Sequence, residues 1–249
     1  MNYQEPANVL KSSLALSLPP IAVAFCDEIP VGVAPFDGAV PAGCAFWEKA
    51  AAGAFATTAQ HHALCAIGMH THNLPHTPAT QSELQDALQA MAGLDYVRAD
   101  EVAAIPVAPR RARHVVYGPL GDFPAPPEVV LIFADARQGL VIAEAAARVD
   151  RGAPAAMGRP ACAVIPQVLN SGVAAQSLGC CGARAYLDAL SDGVALWAFP
   201  AAKLEEYCRE IQALSSANRT LATFHQRRRE DVEAGKRPTV KESLARLSS

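Results

Sequence analysis

Val129-Val-Leu-Ile-Phe133 is a run of five apolar residues, four of them β-branched or aromatic, opening two residues after Pro127. So short and so continuous an apolar run reads as a buried strand. Ile21-Ala-Val-Ala-Phe-Cys26 reads the same way. A chain with two such strands needs a sheet at its centre. Helical patterns lie on either side of both, so the fold class is α+β.

The chain has 249 residues, near the upper limit for one hydrophobic core. At 51% hydrophobic and 18% charged it has enough apolar surface to fold. A single domain over 1–249 is expected. No long apolar run free of charges suggests a membrane span. The opening MNYQEPANVL lacks a basic stretch leading into an apolar one, so no secretory leader is expected. The net charge of −3 argues against a nucleic-acid binder. The expectation is a cytoplasmic globular protein, with a homodimer suggested by the apolar content.

Along the chain, Asn8 to Leu18 reads as a helix ended by Pro19-Pro20. Cys44 heads a helical stretch, and Phe55 to Thr57 reads as a short strand. Thr58 is placed as the cap of a helix carrying His61, His62 and Cys65. Thr80-Gln-Ser-Glu83 has the capping-box pattern for a helix to Met91, and Asp135 caps another to about Val149. Arg151 to Pro160 reads as a loop. Two helices follow, Ala201 to Leu214 and Ser216 to about Ala234, with a charged tail over 235–249.

Seven cysteines, an odd number, argue against a disulfide framework. Cys26 and Cys208 read as packing residues. The others follow a repeated order of features. An apolar strand precedes Cys44, then come Gly53, a short strand and Cys65; another precedes Cys162, then Gly172, a short strand and Cys180. The Cys-to-Gly spacing is nine and ten residues, the Gly-to-Cys spacing twelve and eight. This suggests two related α/β halves, pseudo-repeats over 20–126 and 127–200, with C-terminal helices over 201–234. Halves packed about a pseudo-two-fold axis would bring Cys44, Cys65, Cys162 and Cys180 together.

Four thiols suit an iron–sulfur cluster or zinc. His62 stands three residues before Cys65, a spacing that suits either a mixed metal site or a histidine-activated thiol. His61, His62, His70, His72 and His76 read equally as a polar surface segment. Glycines flank Cys180-Cys181, and Arg184 follows close by as an anion anchor or thiolate partner. Pro160 fits a first helical position, which would put Cys162 at a positive helix end with Arg159 beside it for an anion. No Walker loop, dinucleotide fingerprint or nucleophile elbow is present.

Several segments together carry a family resemblance. They are Pro20-Ile-Ala-Val-Ala-Phe25, Cys44-Ala-Phe-Trp47, Thr57-Thr58 with His62-Ala-Leu-Cys65-Ala-Ile-Gly68, Val116-Tyr-Gly-Pro-Leu120, Gly158-Arg-Pro-Ala-Cys-Ala163 and Ser177-Leu-Gly-Cys180. With Ala217-Asn218 ahead of Phe224-His225, they make the chain resemble the family called domain of unknown function 169, over roughly Leu10 to Arg229. The chain departs at Gln60-His61, where the family carries acidic residues, and at Ala66, where it often carries proline. The resemblance implies no activity. It implies that Cys44, His62, Cys65, Cys162 and Cys180 lie in signature segments.

The leading expectation is an iron–sulfur protein ligated by Cys44, Cys65, Cys162 and Cys180, working in redox chemistry or sensing with a redox partner. His62 would then support the cluster or replace one ligand. A metal-free thiol enzyme is the second expectation, with Cys180 or Cys65 as nucleophile, His62 as base and Arg159 or Arg184 holding an anion. The third is a module that binds a small molecule, such as haem or an organic acid, in the cleft between the halves.

Overall fold

The computed structural model describes residues 3–157 and 159–247; Gly158 of the Arg159 segment lies outside the described residues. Among the described residues, eight strands form one sheet: β1 (Ile21–Cys26), β2 (Ala34–Pro35), β3 (Phe55–Thr57), β4 (His114–Pro119), β5 (Val129–Asp135), β6 (Ala155–Met157), β7 (Ala175–Ser177) and β8 (Val194–Pro200). Their order is β2-β3-β4-β1-β5-β8-β7-β6. At the centre β1 and β5 pair antiparallel, Ile21 opposite Leu131. Outward on each side come two antiparallel pairings and then a parallel one, β2 with β3 and β6 with β7. Strand order and sense therefore read alike in both halves of the chain.

Period-two alternation sends residues of one strand to opposite faces. Ile21, Val23 and Phe25 join one apolar core with Tyr117, Leu131 and Leu196. Ala22 and Ala24 join the other with Val130, Ile132 and Trp197. A sheet covered on both faces needs apolar residues at every position of its central strands, hence the unbroken runs in the sequence. The second face is covered by α1 (Gln4–Leu14), α6 (Ala136–Asp150) and α9 (Leu204–Glu233), which pack on one another. The first is covered by α2 (Ala45–Lys49), α3 (Ala66–Thr71), α7 (Val164–Ser171) and α8 (Cys181–Tyr186), with α4 (Pro78–Gly93) against α3. Two more helices are α5 (Ala99–Ala103) and α10 (Val240–Ala245). Among the described residues no helix is long and apolar enough to cross a membrane.

Local chemistry explains where the helices begin. Asp135 caps α6 as expected: its carboxylate accepts from the Gln138 amide, and the Gln138 side chain accepts from the Asp135 amide, both at 2.8 Å. The cap of α4 is Thr77 rather than Thr80, because Pro78 supplies a first helical position and Thr80 closes the capping box from inside. Thr58 caps nothing. Its amide and hydroxyl both engage His61 Nδ1, and 59–64 is a series of turns. The chain becomes helical only at Ala66, with Cys65 at the cap.

Four other expectations change. The first helix ends early, at Leu14, where Ala15 turns left-handed. The 151–160 loop contains β6, paired with β7. One 30-residue helix, α9, replaces the two expected beyond Ala201. The 235–249 tail holds α10, capped by Thr239 and tied to α9 where Asp231 meets Lys236 and Arg246.

Candidate functional site

The repeated topology places thiols in matching positions. Cys44 caps α2 on the crossover from β2 to β3. Cys162 sits in a 3-10 turn (Ala161–Ala163) opening α7, on the crossover from β6 to β7. Cys65 and Cys180 each cap a six-residue helix, α3 and α8, after the third strand of their half. Pro160 is therefore not the first residue of an α-helix but the cap of a 3-10 turn that runs directly into α7, with Cys162 in that first turn.

All four thiols line one cavity of about 320 Å³, together with Cys181. Its walls are otherwise largely apolar: Leu64 and Ile67, with Ala87, Leu88 and Met91 of α4 and Ala183 of α8. At the rim the Arg159 guanidinium lies over the Tyr96 ring, 4.3 Å from its centroid, with Glu101 3.9 Å from the charge. Tyr96 Oη is 3.2 Å from Cys181 Sγ, and this contact comes first among the causes that raise the phenol's pKa.

Two of these thiols, Cys44 and Cys162, are held protonated. Burial pushes Cys44 up to about 12, with Cys65 and Cys180 nearby adding to the shift. Burial also pushes Cys162 well above its ordinary value, although the Thr71 hydroxyl, 3.3 Å from its sulfur, works the other way. Cys65 folds against its own helix: a Cβ at Gly68 would come within 2.9 Å of its sulfur.

These positions overturn the expected iron–sulfur or zinc centre. Among the described residues, no group of three or more His, Cys, Asp or Glu side chains is disposed to hold a metal ion. The sulfurs are distributed around a cavity wall, and a metal needs thiolates converging on one point. His62 is not among the lining residues. It is buried, its Nε2 is 3.0 Å from Thr57 Oγ1, and its ring packs on Phe46. It is therefore held behind the cavity wall by Thr57 and Phe46 rather than in the lining itself. Arg184 is spent on structure: it donates to the carbonyls of Leu190, Ser191, Val194 and Leu178. Of the two expected anion anchors, Arg159 alone stands at the cavity.

Two parts of this region had no clear mark in the sequence. The α4 wall and Tyr96 come from a segment marked in the sequence only as a helix to Met91, with nothing in it to point to a site. His72 reads as a surface residue, yet it is buried and stacked on Phe25 at 5.7 Å.

Gly43, next to Cys44, has a steric reason to be glycine. A Cβ there would lie 2.9 Å from His62 Nδ1. Gly43→Ala is expected to cost about 1–3 kcal/mol by displacing a packed imidazole, measured by urea unfolding. Unchanged stability would show that the ring has room to move.

Compared with known proteins, the chain matches a family model described as uncharacterised ArCR, over residues 9–210. No curated protein and no solved structure shows significant similarity to it.

Proposed function

The chain belongs to the uncharacterised ArCR family, domain of unknown function 169, and from the cavity within the matched segment we propose that it binds a small, largely apolar molecule with an acidic end. One observation carries the reading. Residues from both halves, 41–105 and 159–186, close around a single cavity of about 320 Å³. That volume lies at the lower end of the range for small-molecule sites, which are mostly apolar with a few polar groups that orient the ligand. Here the apolar walls take the body of the molecule, and Arg159 at the rim takes its carboxylate. The protonated thiols of Cys44 and Cys162 serve as small, polarisable walls rather than nucleophiles.

Hexanoate is the first probe. It is expected to raise the melting temperature in a concentration-dependent way. Ala87→Trp, which fills the cavity from α4, is expected to abolish the rise. Arg159→Met is expected to weaken hexanoate about 3- to 10-fold, since the guanidinium is partly exposed. Leu221→Ser, on the exposed surface of α9, is the control and should bind as the parent does. If hexanoate stabilises the parent and Ala87→Trp alike, the cavity is not its site.

A further inference from the structure

Beneath the thiols lies a group of polar atoms the cavity reading does not use. His62, His72 and Tyr117 are each at most 1% exposed. The two imidazole centroids are 5.6 Å apart, and that of His62 is 6.4 Å from that of Tyr117. His62 Nδ1, His72 Nε2 and the Tyr117 hydroxyl have no hydrogen-bond partner among the described residues. A buried polar atom without a partner costs about 1–3 kcal/mol. Three in one place point to something that pairs with them.

Hydrogen-bond accounting fixes what each atom offers. The single Thr57 hydroxyl hydrogen goes to the Val115 carbonyl at 3.0 Å, so Thr57 Oγ1 accepts from His62 Nε2–H. His62 Nδ1 is then a bare acceptor. His72 Nδ1 lies 2.9 Å from the Gly68 carbonyl, which can only accept. His72 Nε2 is therefore bare as well. Burial keeps both rings neutral. Tyr117 keeps its hydroxyl hydrogen to give, since burial and the neighbouring thiols of Cys162, Cys44 and Cys65 hold it protonated. Those same three thiols line the cavity. The polar group and the cavity thus share these thiols as neighbours.

We infer that this cluster is a polar floor to the cavity that takes a primary carboxamide. Two acceptors and one donor are the complement of –CONH2, which has two N–H donors and one carbonyl acceptor. A carboxylate brings no donor for the two bare nitrogens and would have to be buried as a charge. An ammonium brings a buried charge too. The inference rests on the cavity reading above and refines its ligand: an apolar body, an amide at the floor and an acidic group at the rim.

Hexanamide, N,N-dimethylhexanamide and hexanoate separate the two claims. The parent is expected to bind hexanamide about tenfold more tightly than the dimethyl amide, which lacks both donors. His72→Phe should reduce that preference to less than about threefold while leaving hexanoate affinity unchanged. Imidazole ¹⁵N resonances of the parent give a readout that does not depend on the variant folding. His62 Nδ1 and His72 Nε2 should resonate as unprotonated nitrogens in the free protein and shift on adding hexanamide but not the dimethyl amide. Equal affinity for the two amides, or nitrogens unmoved by hexanamide, overturns the floor, even where hexanoate still binds. If neither hexanoate nor hexanamide stabilises the protein, the cavity reading itself fails.

Discussion

Acidification from pH 7 to about pH 4.5 is expected to cost this fold several kcal/mol, and two buried histidines are the reason. Burial lowers His72 from 6.5 to about 4. His62 is lowered well below its ordinary value by burial, with His72 and His61 adding to the shift. In the unfolded chain both rings protonate near pH 6.5. Between that value and the depressed native one, the unfolded state holds more protons than the folded state. Stability is therefore fully present above about pH 6.5 and falls as the pH drops. His72 alone accounts for about 2–3 kcal/mol by pH 4.5, at about 1.4 kcal/mol per unit. His62 adds to the loss over the same window.

Urea unfolding at a series of pH values checks this. The plot of stability against pH should slope with about two protons taken up on unfolding, and His72→Asn should reduce the slope by about one. Equal slopes for parent and variant would mean that His72 is not held neutral. At the other end the thiols act in the opposite sense. Cys44, raised to about 12, keeps its proton in the folded state after the unfolded chain has lost it, so stability also falls above about pH 9.

The second large effect is expected at Asp150. Its carboxylate is 5% exposed and gathers three donors: Lys203 Nζ at 2.8 Å, Tyr207 Oη at 2.6 Å and the Ala174 amide at 2.8 Å. These bonds join the end of α6, the start of α9 and the residue entering β7. Asp150→Ala leaves the buried Tyr207 hydroxyl and the Ala174 amide without this partner and Lys203 without its counter-charge. The expected loss is about 3–5 kcal/mol, read from urea unfolding. Asp150→Asn keeps one acceptor oxygen and should lose less. Because β7 leads to Cys180, limited proteolysis of Asp150→Ala should cut first around 172–182. A loss under about 1 kcal/mol would show that the three contacts are no more than a surface ion pair.

Some of this architecture was legible before any coordinates. The apolar runs at Ile21–Cys26 and Val129–Phe133 gave the two central strands, because a strand covered on both faces leaves no polar position to blur the pattern. Asp135 and Gln138 marked the start of α6 through reciprocal hydrogen bonds that need only local geometry. Helix starts were misread where a distant or competing partner decided them. Thr58 is drawn off by His61, and the break expected near Ser215 vanishes because α1 and α6 hold α9 as one helix.

The candidate site divides the same way. Which cysteines belong together followed from chain order and the repeated strand pattern, both properties of a one-dimensional string. What those cysteines do was a matter of where their sulfurs point. Folding arranges them around the wall of an apolar cavity instead of toward a common centre, turns Cys65 onto Gly68 and Cys162 onto Thr71, and commits Arg184 to four carbonyls. Residue type and spacing determine the chemistry available. Side-chain direction and the partners brought in from far along the chain determine which of it is used, since a thiol, an imidazole or a guanidinium takes its role from the atoms it meets.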